Sequence, residues 1–244
     1  MTGPRLPRLA VALDAPSLEP LEPIIDALDG LPVAAKVGLS LFCAVGPAVV
    51  HHLHQARLPV FLDLKLHDIP HQVALAVRAV ARLDVALLTV HASGGSAMLR
   101  AAAEAAGDRT RLLAVSVLTS LEQADLDADG HAWTTAETVA RRCRLAHACG
   151  MHGAVLSARE LALVDELPAE FLRVTPGIRS AAAAPDDQRR TLSAGEAIAA
   201  GASMLVVGRP ILQAADPRAA TVAVLEEIAD ALRRRSGGKD ATTA

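Results

Sequence analysis

The chain has few cysteines, little net charge and no long apolar run, and each shortage excludes a class of protein. Its 244 residues include three cysteines, Cys43, Cys143 and Cys149, an odd number without metal-ligand spacing. They read as reduced thiols of a cytoplasmic protein, and Cys143 and Cys149 fall in a helical stretch where a redox role is not expected. Formal net charge is −3, so nothing points to a nucleic-acid surface. No segment approaches the roughly 20 apolar residues of a membrane span. The start, MTGPRLPRLA, lacks the apolar core of a signal peptide. Patterns of the G-x-G-x-x-G, P-loop and H-E-x-x-H kinds are absent, so neither a nucleotide cofactor nor zinc is implied.

What is present is apolar substance for one core: 52% of residues are hydrophobic and 21% charged. Much of the excess is alanine, which favours helices. Short β-type runs alternate with longer helical ones. The strands predicted are 8–15, 33–39, 60–66, 85–92, 111–120, 153–158, 171–177 and 204–210. Helical stretches include 46–56, 73–83, 98–106, 136–148 and 219–235. The strands are near-continuous apolar runs, as in a parallel sheet covered by helices on its outer side. Eight such units fit an α/β fold of the (β/α)8 TIM-barrel type forming a single domain, with a doubly wound open sheet as the alternative. Segments 120–133 and 179–190 read as loops, the first with a short helical piece, and the polar tail from about 236 as a frayed end.

In such a barrel the chemistry sits at the C-terminal ends of the strands. Asp14 ends the first run, and Lys36 lies late in the second. The third run, FLDLKLHDIP (61–70), carries Asp63, Lys65 and Asp68. Residues two apart on a strand face the same way, so Phe61, Asp63 and Lys65 should face the barrel mouth, with Leu62, Leu64 and Leu66 toward the helices. A buried charge is costly unless paired, so alternating Asp and Lys is the form such a cluster must take. A lone Asp–Lys pair would read as a structural ion pair. Asp-x-Lys-x-x-Asp beside Lys36 and Asp14 favours an active site.

Strands seven and eight end in VTPGIR and VVGRP. Glycine and arginine at both ends favour a phosphate site, where backbone N–H groups approach closely and Arg209 offers a bidentate partner. HHLH (51–54) reads as a solvated helix face, since metal sites need converging ligands. SGGSA (93–97) is equally a phosphate loop or a tight turn. His91 is equally a ligand contact or a hydrogen-bonded structural histidine.

These residues resemble the orotidine 5′-phosphate decarboxylase family. DLKLHDIP matches its signature, and VALD, KVG, VHASGG, LTS, TPGIR and VGRPI extend the likeness over almost the whole chain. The resemblance implies a homodimeric barrel that converts orotidine 5′-phosphate to UMP and CO2 without metal or organic cofactor. It implies that Lys65 protonates C6, that Asp63 lies against the substrate carboxylate, and that Lys36 and Asp14 hold the ribose hydroxyls and extend the charge network. Asp68 and Ile69 would reach into the partner's site. Thr119 would meet the pyrimidine, and Arg179, Gln188, Gly208 and Arg209 the phosphate, with the loop around Gln188 as a lid. One departure is local: after HDIP the family usually has Asn-Thr, where this chain has His71-Gln72. Gln72 would replace a threonine that contacts ribose across the dimer, and it is longer. The competing readings are a metal-dependent sugar-phosphate decarboxylase or aldolase on the same barrel, and a non-catalytic phosphometabolite-binding protein.

Overall fold

Strands buried on both faces need no polar side, and here they close on themselves. The structure, a computed structural model, describes residues 6–108, 110–178 and 192–240, with side chains as far as Arg235. Its strands are β1 (Leu9–Leu13), β2 (Val33–Gly38), β3 (Val60–Leu66), β4 (Leu87–His91), β5 (Arg111–Val115), β6 (Gly153–Val155), β7 (Leu172–Thr175) and β8 (Met204–Val207). They pair in sequence order, all parallel, and β8 returns to β1 to complete a closed barrel. The (β/α)8 TIM barrel expected from the alternating pattern is therefore the architecture. The open sheet is excluded.

Helices cover the outside: α1 (Glu22–Ala27), α2 (Leu39–Val45), α3 (Ala48–Gln55), α4 (Pro70–Ala81), α5 (Gly95–Ala106), α6 (Gln123–Ala128), α7 (Thr135–Ala148), α8 (Ala194–Ala199), α9 (Arg209–Leu212) and α10 (Pro217–Asp240). The last reaches past the end expected near residue 236. Pro70 opens α4 at a first-turn position, where its missing N–H costs nothing. Val73, Val77 and Val80 then form the buried face of that helix. A capping box between Thr134 and Glu137 starts α7.

The apolar residues separate into two cores. Outward-facing strand residues such as Val11, Val37, Leu62 and Leu88 pack against the helices. Inward-facing ones form a plug at the lower end of the barrel, where Ala10, Ala34, Phe61, Leu87, Leu113, Val174 and Met204 meet. Small Ala10 and Ala34 leave room for Phe61, one of only three phenylalanines in the chain. That plug is the floor on which the site rests. The upper strand ends differ from expectation at β5, which stops at Val115 rather than 120. Its partner β6 runs only from Gly153 to Val155, so the ladder between them ends there. The freed residues Val117, Leu118 and Thr119 line the barrel mouth instead.

Candidate active site

The barrel mouth holds a cavity of about 690 Å3, a size suited to a small-molecule ligand. Its lower wall is an alternating chain of charge from three adjacent strands. Lys36 on β2 donates to Asp14, just beyond β1, at 3.0 Å, and lies 3.9 Å from Asp63 Oδ2 on β3. Lys65 Nζ donates to the same Oδ2 at 2.7 Å. Lys36 is buried, so its ammonium depends on these carboxylates to offset lost hydration. Phe61, Asp63 and Lys65 all face this cavity, as strand alternation predicts.

The alternation is nevertheless broken in detail. Leu62 pairs with Leu88, but the next pair is Leu66 with Val90, so β3 bulges against β4. Within the bulge Lys65 has φ of +50°, a left-handed conformation that side chains with a Cβ seldom adopt. Its N–H donates to Thr89 Oγ1 at 2.9 Å, and that hydroxyl donates to Asp63 Oδ1 at 2.8 Å. The strand thus aims Lys65 by a local distortion that no two-residue period describes.

The opposite wall carries the loops after β7 and β8. Pro176, Gly177 and Ile178 face the cavity from one, and Gly208, Arg209 and Pro210 from the other. Gly177 has φ of +79°, a conformation that favours glycine. Thr119 borders the same space. Asp14, Lys36, Asp63, Lys65, Thr119, Gly208 and Arg209 are therefore brought together. Asp68, Ile69 and Gln72 are not: they stand exposed beyond β3, outside their own cavity. Asp68 Oδ1 accepts from the N–H of Ile69 at 2.6 Å, and among the described residues no ion pair links it to Lys65. Arg179 and Gln188, with the loop 179–190, lie outside the described residues.

Three contributors escape sequence reasoning. Thr89 is one; its signal is a hydroxyl inside the apolar run LLTVH, two residues before His91. Gly38 is another. Its backbone is ordinary extended chain, φ −84° and ψ 176°, so conformation does not demand glycine. Space does, because a Cβ there would lie 2.7 Å from Asp14 Oδ1 and 3.2 Å from Lys36 Nζ. The third is Gln213, which borders the cavity from the end of α9 and carries no sequence signal.

His91 sits at the end of β4, beside the cavity rather than on it. Its Nδ1 lies 2.9 Å from Ser93 Oγ, and its ring is 5.4 Å from that of His67. Burial, with help from His67, Arg142 and Lys65, lowers its pKa to about 4, so the ring is neutral near pH 7. The hydrogen-bonded structural reading of His91 fits this geometry. A side chain at Gly94 would collide with Met98, which makes SGGSA a tightly packed turn. Elsewhere, buried Cys143 has its thiol pKa raised to about 12 by desolvation, an unreactive state. Among the described residues no group of three or more His, Cys, Asp or Glu is placed to hold a metal ion.

Comparison with known proteins agrees with this geometry. A family model described as "Orotidine 5'-phosphate decarboxylase / HUMPS family" matches residues 7–224. The orotidine 5′-phosphate decarboxylase of Halorhodospira halophila is 49% identical over 235 residues, covering 95% of this chain and 100% of its own. That of Chromohalobacter salexigens is 47% identical over 226 residues, covering 91% and 96%. The crystal structure of the Lactobacillus acidophilus orotidine 5′-phosphate decarboxylase superposes with a TM-score of 0.81 at 37% identity, covering 91% of this chain and 99% of that one. A barrel closed in sequence order, a charged network across the ends of its first three strands and likeness along nearly the full length together establish that this chain belongs to the orotidine 5′-phosphate decarboxylase family.

Proposed function

We propose that the chain decarboxylates orotidine 5′-phosphate to UMP, with the Asp14–Lys36–Asp63–Lys65 network as its catalytic centre. That network is the observation that carries the reading. Its two carboxylates are already matched by two ammonium groups, whereas a divalent cation calls for an excess of negative ligands. In the reaction the bond from C6 to the carboxylate breaks, its electron pair stays on C6, and CO2 leaves. Lys65 Nζ then gives a proton to C6, and solvent restores the ammonium.

The carbanion has no ordinary conjugated sink, so fixed charge must stabilise it. Lys65 provides this from a bulge that holds it in place before the reaction. Asp63 faces the substrate carboxylate and repels it. Two unit charges 4 Å apart at an effective dielectric of 20 interact by about 4 kcal/mol. Large enzymatic accelerations reach about 23 kcal/mol, so repulsion assists and stabilisation of the anion by Lys65 supplies more. Lys36 and Asp14 engage the ribose hydroxyls, and Thr119 the pyrimidine. Arg209 and the backbone at Gly208 hold the phosphate, joined by Arg179 and Gln188, which lie outside the described residues. Phosphate is remote from C6, so its binding energy is available to close the site.

A homodimer with shared sites is part of this proposal. Asp68, Ile69 and Gln72 project from the rim, away from their own cavity. Ile69 is 63% exposed and Leu39, which follows the neighbouring strand, is 59% exposed. Such apolar exposure suits an interface that delivers Asp68 and Ile69 to the partner's Lys65. A cytoplasmic location belongs to the same reading, supported by three free cysteines. No described helix is long and apolar enough to cross a membrane.

The test is the loss of orotidine 5′-phosphate absorbance in EDTA. Full turnover in chelator is expected. Turnover that requires added Mg2+ would favour a metal-dependent reaction, and tight UMP binding without turnover a binding protein.

A further inference from the structure

We propose that Thr89 is a positioning residue for the catalytic centre, acting through one hydroxyl that fixes both the backbone of Lys65 and the carboxylate of Asp63. The inference rests on the assignment of Lys65 and Asp63 as reacting groups. Thr89 faces the barrel interior from β4, above Leu87 of the plug, and is 0% exposed. A hydroxyl has one proton to donate and lone pairs to accept, and both capacities are used here. It accepts the Lys65 N–H at 2.9 Å and donates to Asp63 Oδ1 at 2.8 Å.

Each bond solves a specific problem. The register between β3 and β4 slips from Leu62↔Leu88 to Leu66↔Val90, so the Lys65 amide has left the ladder. It would be unsatisfied inside the barrel, and the left-handed φ of +50° would be unsupported. Asp63 needs its rotation fixed. With Oδ1 held by Thr89, Oδ2 is turned to Lys65 Nζ at 2.7 Å and toward Lys36 Nζ at 3.9 Å. Thr89, Asp63 and Lys65 thus close a ring of hydrogen bonds in which the main chain of Lys65 enters at one end and its ammonium at the other. Loss of the hydroxyl leaves all reacting groups present but lets both the bulge and the carboxylate relax. An error of about 1 Å in such a group is enough to cost roughly 100-fold.

The test compares Thr89→Val, which keeps the shape and removes the hydroxyl, with Thr89→Ser, which keeps the hydroxyl. Thr89→Val should lose roughly 10- to 100-fold in kcat, while UMP affinity changes less than about threefold, because UMP has no carboxylate for Asp63 to meet. Thr89→Ser should recover kcat to within about threefold of the parent. Wild-type kcat in Thr89→Val, or a Thr89→Ser variant as slow as Thr89→Val, overturns the proposal. If Thr89→Val does not fold, Thr89→Ser and Thr89→Ala, which differ only in the hydroxyl, decide the matter, and equal kcat overturns it. Lys65→Ala is measured alongside. An active Lys65→Ala would refute the site assignment itself, whereas an inactive Lys65→Ala with a fully active Thr89→Val refutes the role of Thr89 alone.

Discussion

Replacing Gly38 by alanine adds one methyl group to a rim of the cavity and should separate activity from stability. The new Cβ would lie 2.7 Å from Asp14 Oδ1, where ordinary contact begins at 3.4 Å, so the carboxylate must retreat by about 0.7 Å. Lys36 Nζ, at 3.2 Å, must also yield slightly. The Lys36–Asp14 bond is 3.0 Å long, and a retreat of that size along it would carry it to about 3.7 Å, beyond hydrogen-bonding reach. A hydrogen bond to a charged group contributes about 1.5–3 kcal/mol, which corresponds to a loss of roughly 10- to 150-fold in kcat/KM. Stability should fall less than activity, because buried Lys36 loses Asp14 but keeps Asp63 Oδ2 at 3.9 Å. Gly38 is in extended backbone that alanine adopts without strain, and Gly→Ala at such a position stabilises by about 0.4–1 kcal/mol through the unfolded chain. Alanine is a poorer helix N-cap by up to about 1 kcal/mol, which offsets that gain. The Asp14 side chain is 55% exposed and can swing into water. The melting temperature should therefore fall by several degrees, with the protein still folded at the assay temperature. The assay is steady-state loss of orotidine 5′-phosphate absorbance, paired with thermal unfolding. A kcat/KM within twofold of the parent would refute the reasoning, as would activity lost only together with the fold.

Three further outcomes are expected. Arg209→Ala should lose mainly kcat/KM for the nucleotide, and far less for orotidine without phosphate; equal losses would make Arg209 structural. Lys65→Ala and Asp68→Ala should each be nearly inactive, yet dissociation, equal mixing and reassociation should restore about a quarter of all sites, since half the dimers become mixed and each has one intact site. Mixed dimers seen by mass spectrometry without recovered activity would show that Asp68 does not act across the interface. His91 should make stability depend on pH. Its folded pKa of about 4 lies below the unfolded 6.5, so its contribution is complete above pH 6.5 and is lost as pH falls toward 4. The upper bound is about 3 kcal/mol, reduced to roughly 1–2 by solvent around a partly exposed ring. His91→Asn should flatten the denaturation midpoint over that window relative to the parent; parallel profiles would contradict the shift.

Much of this protein is written in local pattern. Strands from apolar runs buried on both faces, spaced by helices, call for a parallel sheet covered by helices, and the pairing of β8 with β1 decided that it closes into a barrel rather than staying open. Alternation along FLDLKLHDIP places Phe61 and Asp63 inward and the leucines outward, because a strand turns its side chains with a period of two, whereas Lys65 reaches the same cavity through the bulge. Burial then demands that charges come in opposed pairs, so Lys36 and Asp14 on neighbouring strands belong with them. Contacts between strands decided the rest. The bulge at Lys65 exists because β3 and β4 slip register, and Thr89, 24 residues away, catches the freed amide. Gly38 matters only because Asp14 and Lys36 meet above it. The end of β5 is set by the shortness of β6, and Asp68, close to Lys65 in sequence, points out of their common barrel. Sequence order carries the period of a strand and the sign of a charge, but distance and register across a barrel arise only when the chain closes.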